Sequence, residues 1–172
     1  MKLLLVLPVA AALMIQDLPP KGGSSGNPIE TKHLTVTTSA SPEAVTPGKP
    51  VTLAVDVAPK PTMHVYSPGQ DGYIAITLTL DANPAFVAAK AKYPAGEKIY
   101  MPILKETQIV YAKPFRILQH VTLRQRSGQA PRSDAGAFTI KGTLRYQACD
   151  DTICYLPTTV PLAWDLRLAP AK

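Results

Sequence analysis

The sequence predicts an all-β protein folded as an immunoglobulin-like β-sandwich. Three observations point there. Many short segments alternate apolar and polar residues, turn-forming pairs separate them, and no stretch after residue 30 keeps a helical period for more than about two turns. Proline supplies 18 of the 172 residues, scattered among short apolar runs, as suits strands joined by many turns.

The elements follow in order. Residues 33–38 alternate around Leu34 and Val36. In 51–57, Val51, Leu53, Val55 and Val57 face one way and Thr52, Ala54 and Asp56 the other. A short strand is expected at 63–66. Residues 73–80 set Ile74, Ile76, Leu78 and Leu80 against Tyr73, Ala75, Thr77 and Thr79. A weaker pattern covers 86–93. Strands at 108–111, 115–123, 138–148 and 155–168 complete the set. The separators carry turn chemistry: Ser41-Pro42, Pro47-Gly48, Ser67-Pro68-Gly69, Asp81 to Pro84, Pro94 to Gly96, and 127–136. Seven or more short strands of this kind indicate two packed sheets, with an up-and-down barrel as the alternative. Immunoglobulin domains proper join their sheets by a disulfide between cysteines far apart in sequence. Here the two cysteines are close together and the single tryptophan, Trp164, follows both, so the expectation rests on strand pattern.

The hydrophobic fraction, 46%, is that of a globular chain of one domain. The net charge of +6 is spread out. Its clearest cluster, Arg124, Arg126 and Arg132, borders a Gly/Ser/Pro-containing stretch without interleaved aromatics, which argues against a nucleic-acid surface. At the N-terminus Lys2 precedes an apolar stretch, 3–15, of signal-peptide length and short for a membrane span. Residues 1–29 are therefore expected to be an export signal, cleaved or kept as a membrane-proximal anchor, with a flexible leader. Residues 30–172 form the domain. The protein is expected in the periplasm or otherwise exported, as a monomer.

The only cysteines are Cys149 and Cys154, in Tyr146-Gln-Ala-Cys149-Asp-Asp-Thr-Ile-Cys154-Tyr-Leu-Pro157. A disulfide between them closes a very small ring, worth about 2 kcal/mol in the chain-entropy model. Such a ring is poorly suited to stapling a fold and well suited to opening while the fold persists. The four residues between them suit a hairpin loop, which would set the cysteines across an antiparallel ladder with Cα atoms ~4.5–5.5 Å apart. The spacing is not C-x-x-C and opens no helix, so the pair lacks the field that makes a thiol aggressive. Asp150 and Asp151 would raise a thiol pKa. They read as turn formers, with proton acceptance from an attacking thiol as the other reading. For the pair itself, redox exchange and a passive clip both stay open. A zinc site is disfavoured, because His33, His64 and His120 show no spacing that pairs with the cysteines. No metal and no cofactor are expected.

The cysteine segment, followed by Thr158-Thr-Val-Pro-Leu162, resembles the end of the N-terminal periplasmic domain of the thiol:disulfide interchange protein DsbD family. Met63-His-Val-Tyr66-Ser-Pro resembles the family's His-x-Tyr strand, and the stretch from Tyr93-Pro94 to Ile109-Val-Tyr111 its proline-started loop and next strand. The resemblance spans roughly residues 33–168. It implies a sandwich whose cysteines, here Cys149 and Cys154, carry electrons from thioredoxin-like proteins or a membrane donor to oxidised periplasmic proteins. Tyr146, Asp150, Asp151, Tyr155 and Pro157 would support the pair. It also implies a loop that caps the sulfurs, here 98–106, with Tyr100, Met101, Ile103 and Leu104 as covering residues. Ordinary core or loop-tip packing is the other reading of those four. His64 and Tyr66 read as structural strand residues. Two departures stand out. The membrane section and thioredoxin-like domain of full-length family members have no counterpart in these 172 residues, so either the donor is a separate protein or the redox role has been lost. The loop between the cysteines is one residue shorter than the family's usual pattern.

Overall fold

The computed structural model describes residues 24–102, 104–124 and 136–169. Ile103, Arg126, Arg132 and the expected signal up to residue 23 lie outside them. The described residues form strands and loops without a helix, as the alternation predicts. The strands are β1 (Ser24–Ser25), β2 (Ile29–Glu30), β3 (Leu34–Ser41), β4 (Ala44–Val45), β5 (Pro50–Pro59), β6 (His64–Tyr66) and β7 (Thr77–Leu80). They continue with β8 (Phe86–Ala88), β9 (Glu97–Met101), β10 (Glu106–Tyr111), β11 (Phe115–Leu123), β12 (Ala137–Tyr146), β13 (Ala148–Cys149) and β14 (Thr158–Leu168).

Three sheets result. The first runs β1-β3-β5-β11-β8 with β2 also on β3, the second β4-β14-β12-β7, and the third β13-β6-β10-β9. The first two face each other through their period-2 apolar rows. Leu34 and Val36 of β3, Val51, Leu53, Val55 and Val57 of β5, and Ile117 and Val121 of β11 meet Ile140 and Leu144 of β12 and Val160, Leu162, Trp164 and Leu166 of β14. Polar ties cross between the layers. Trp164 Nε1 donates to the Ala54 carbonyl at 3.1 Å, and Thr38 Oγ1 to the Ala163 carbonyl at 2.9 Å. This is an immunoglobulin-like β-sandwich.

Three predicted strands are shorter than their sequence pattern by three residues or more; the 155–168 strand begins at Thr158, after the cysteine turn. The 73–80 strand begins only at Thr77. Before it, Tyr73 stacks on Tyr66 of the third sheet, with ring centroids 4.2 Å apart, and the backbone leaves the second sheet to follow its side chain. The 86–93 strand stops at Ala88. Its pairing with β11 resumes at Lys92↔Leu118 after Ala88↔Val121, so four steps on one strand oppose three on the other. That extra residue is a bulge, and Gln119 Nε2 fills the gap by donating to the Ala89 carbonyl at 2.8 Å.

The third sheet positions the cysteines. β12 pairs with β14 out to Tyr146↔Thr158, then leaves it. Ala148 and Cys149 cross to β6, with Ala148 opposite Val65 and Cys149 opposite His64.

Candidate functional site

Cys149 and Cys154 are joined by a disulfide and form an isolated antiparallel bridge, with Cα atoms 4.0 Å apart. They face each other as the hairpin expectation has it, though closer than a regular ladder sets them. The turn between them is held by Asp150. Its N–H donates to the Ile153 carbonyl at 3.0 Å. Its Oδ1 accepts from the amides of Thr152 (2.8 Å) and Ile153 (2.9 Å) and from Thr152 Oγ1 (2.8 Å). Its Oδ2 accepts from the Tyr155 hydroxyl at 2.8 Å. The Ile153 and Thr152 amides, then the Thr152 and Tyr155 hydroxyls, hold this carboxyl well below the usual carboxylate range. Asp150 thus holds the turn, with three bonds accepted at Oδ1 and one at Oδ2. Asp151 stands exposed.

The two sulfurs differ in access. Cys149 is 1% exposed and packs with Tyr66 and Val110, against which Tyr73 and Ile99 lie. Cys154 is exposed, and so are its neighbours Ile153 and Leu156. Register explains the difference. Cys149 is a β13 residue inside a sheet, whereas Cys154 lies on the return leg, outside any strand, where it forms an isolated bridge with Cys149.

The Tyr66 hydroxyl lies 3.3 Å from Cys149 Sγ and 3.4 Å from Cys154 Sγ. A disulfide has no S–H, so the phenol is the donor. Burial first, then the neighbouring Tyr73 and Glu106, push its pKa up to about 12, which keeps it protonated as a donor. Behind it, Tyr73 donates to Glu106 Oε1, while Gln108 Nε2 donates to the same oxygen at 2.6 Å and to the Tyr73 hydroxyl at 3.1 Å. Those two bonds, Tyr73 first, hold Glu106 below its ordinary value. His64, opposite Cys149, is 5% exposed, and its Nε2 has no partner among the described residues. Burial lowers its pKa against the pull of Asp151 and Asp150, so at neutral pH it carries no charge.

The other residues read from sequence fall as follows. Tyr146 is fully buried, its hydroxyl on Thr31 Oγ1 at 2.9 Å, and Tyr155 is half-buried with its hydroxyl on Asp150. Pro157 is exposed. The 98–106 stretch is the β9–β10 hairpin, Glu97–Met101 against Glu106–Tyr111. Tyr100 (59%) and Leu104 (54%) are exposed and Met101 is half-buried. Ile99 is the hairpin residue that packs against the Cys149 cluster. Strand alternation carries that signal, since Ile99 shares a face with Met101 and Tyr100 takes the other. Tyr66, read from sequence as structural, is the side chain that touches both sulfurs. Tyr73, Glu106 and Gln108 gave no sequence signal, because their meeting depends on the register of β6 and β10.

The arrangement defines a class. It is an immunoglobulin-like domain with a small disulfide ring at one end, one sulfur open to a thiolate and the other buried beneath a phenol. The family described as "Thiol:disulfide interchange protein DsbD, N-terminal" matches residues 31–163, more than half of the sequence, and the chain belongs to that family. Among solved structures it is similar to the "N-terminal periplasmic domain of ScsB from Proteus mirabilis", with a TM-score of 0.59 and 15% identity. That match covers 87% of this chain and 55% of the other, so the likeness speaks for the fold. No curated protein matches the sequence.

Proposed function

We propose that the protein is a periplasmic thiol–disulfide exchange module that relays two electrons through Cys149 and Cys154, without a bound cofactor. The observation that carries this reading is the split in access between the sulfurs, with the Tyr66 hydroxyl on both. Exchange proceeds by a thiolate attacking one sulfur of a disulfide, so the open sulfur decides where it starts. A donor dithiol's thiolate attacks Cys154 Sγ. The Cys149–Cys154 bond breaks, a mixed disulfide forms on Cys154, and Cys149 leaves as a thiolate that receives the Tyr66 hydrogen bond. The donor's second thiolate then attacks its own sulfur in the mixed disulfide and releases Cys154. The donor ends oxidised; the pair ends reduced by two electrons and, after protonation, two protons. The same steps in reverse hand the electrons to an oxidised acceptor.

The donor fits the description of a thioredoxin-like protein or a membrane electron donor, and the acceptors that of oxidised periplasmic proteins. Family membership and the apolar segment after Lys2 support residues 1–29 as an export leader and 30–172 as the exported domain, working as a monomer. The stretch expected to cap the sulfurs, with Tyr100, Met101 and Leu104 on the β9–β10 hairpin and Ile103 outside the described residues, then stands as the cover that a docking partner displaces, with Ile99 as its inward contact.

Trapping tests this. Cys149→Ala leaves the open sulfur unopposed and should accumulate mixed disulfides on Cys154 in the exported fraction, while Cys154→Ala, with only the buried sulfur, should accumulate few. No adduct on either variant would sink the relay. The competing reading is a binding domain with a structural bond, favoured by the tightly held Asp150 turn. It predicts a reduction potential below about −300 mV, whereas a relay belongs nearer the thioredoxin-type couples.

A further inference from the structure

His33 takes no part in the exchange steps, yet it is 6% exposed and neither ring nitrogen has a partner among the described residues. Buried polar atoms without partners are uncommon and need a reason. Phenylalanine would fill similar space without that cost, so what histidine adds is a proton. The imidazole lies on the Tyr155 ring, with centroids 4.5 Å apart and planes tilted 34°, and meets Tyr146 edge-on at 6.3 Å. Tyr155 directly follows Cys154. Its N–H donates to the Ala148 carbonyl at 2.8 Å and its carbonyl accepts from Gln147 Nε2 at 3.1 Å. Its hydroxyl donates to Asp150, which holds the turn. Tyr155 therefore grips both legs of the disulfide ring, and His33 packs on the grip.

We propose that His33 is a positioning residue for the exposed sulfur: neutral, it seats the Tyr155 ring and fixes the leg that carries Cys154; protonated, it leaves that seat and frees the leg. The inference deepens the exchange reading, on which its use in the cell rests, while the coupling itself is physical and separately testable.

The charges around the ring decide what a proton does there. Lys32 sits beside it in sequence, with Nζ 4.8 Å from the Tyr155 centroid. Lys60 binds the Thr31 carbonyl at 2.6 Å and Glu30 at 3.3 Å. Tyr146 and Tyr155 present neutral phenols, and Asp150 reaches the imidazole only through the Tyr155 hydroxyl. Burial, then Lys32, then Lys60, hold His33 below its ordinary 6.5. An imidazolium in this place would be desolvated, without an acceptor, and next to two ammonium groups. The Tyr155 face offers it cation–π attraction, but Lys32 already occupies that ring. The sign follows: the loop is seated above pH 6.5, and release begins only below it.

The test uses the full chain and dithiothreitol as the probe. Reduction rates of wild type and His33→Phe are compared from about pH 7.5 down to about pH 5. Taking their ratio at each pH cancels the loss of reductant thiolate. The ratio should stay near one at neutral pH and climb about three-fold or more on the acid side, because only the wild type releases its loop. A ratio that does not change with pH overturns the proposal. A second measurement needs no variant. In an NMR titration of the wild type, the Cys154 and Tyr155 amides should shift with the midpoint of the His33 ring, and amides that ignore that midpoint overturn it equally. Failure to trap any protein partner would end the relay reading and leave this coupling standing.

Discussion

Tyr66 is where single-residue chemistry is most exposed to test. In the oxidised protein its hydroxyl approaches the buried Cys149 sulfur to 3.3 Å, which places it to meet the thiolate that reduction would leave there. Because its own pKa is pushed to about 12, it remains a donor throughout the titration of a thiol. A hydrogen bond to a charged group is worth about 1.5–3 kcal/mol, and one pKa unit corresponds to about 1.36 kcal/mol. Tyr66→Phe keeps the stacked ring and removes only the donor, so the Cys149 thiol pKa should rise by about one to two units. Thiolate absorbance against pH in the reduced protein reads this directly, and an unchanged value would mean the phenol is mere packing. At this scale the sequence disclosed the cysteines and not their partner. Residue type and spacing announce a disulfide, and Asp150 between them announces a turn. Tyr66 lies 83 positions from Cys149, and nothing local says that its hydroxyl lands on sulfur.

The strands explain both what alternation revealed and what it hid. The burial of β3, β11, β12 and β14 alternates with period two, and that of β5 does so except at Ala54, because each packs one face against the opposing sheet; the buried rows also take in polar Thr38 and Gln119. The third sheet was legible only in part. The strands expected at 63–66 and 108–111 are β6 and β10, whereas β13 is two residues long and β9 reads from sequence as part of a capping loop. Their assembly into one sheet depends on long-range pairing. The second sheet offers an element-level test at Gly142, opposite Leu80 where β12 meets β7. A Cβ there would sit 2.5 Å from the Thr79 carbonyl oxygen and 3.1 Å from Leu80 Cα, and backbone on a paired strand yields poorly. Gly142→Ala should cost about 1–3 kcal/mol through overpacking, seen as a lower denaturant midpoint. Since β12 reaches the cysteines through the chain beyond Tyr146 and β7 through the segment back to Tyr73, both away from Gly142, the reduction potential should stay at its wild-type value. A shift in potential as large as the shift in stability would show that the sheets are not separable in this way.

For the molecule as a whole, the question is whether the disulfide belongs to the structure or to the chemistry. The sandwich core is assembled from the two large sheets, tied by Trp164 and Thr38, and Cys149 belongs to a separate small cluster with Tyr66 and Val110. The bond closes a ring too short to restrict the unfolded chain much, worth about 2 kcal/mol. Truncating the buried Cys149 sulfur leaves a small void worth about 1 kcal/mol more. The Cys149→Ala/Cys154→Ala protein should therefore unfold cooperatively, about 3 kcal/mol less stable, with the same dependence on denaturant as wild type. An unchanged slope matters as much as the midpoint, because it reports that the same surface is still buried. A domain able to lose its only covalent tie and keep its fold can be opened and closed by visiting thiols without unfolding between visits. A double variant that never reaches a cooperative folded state would instead make the ring a clip, and electrons passing through it would unfold the protein that carries them.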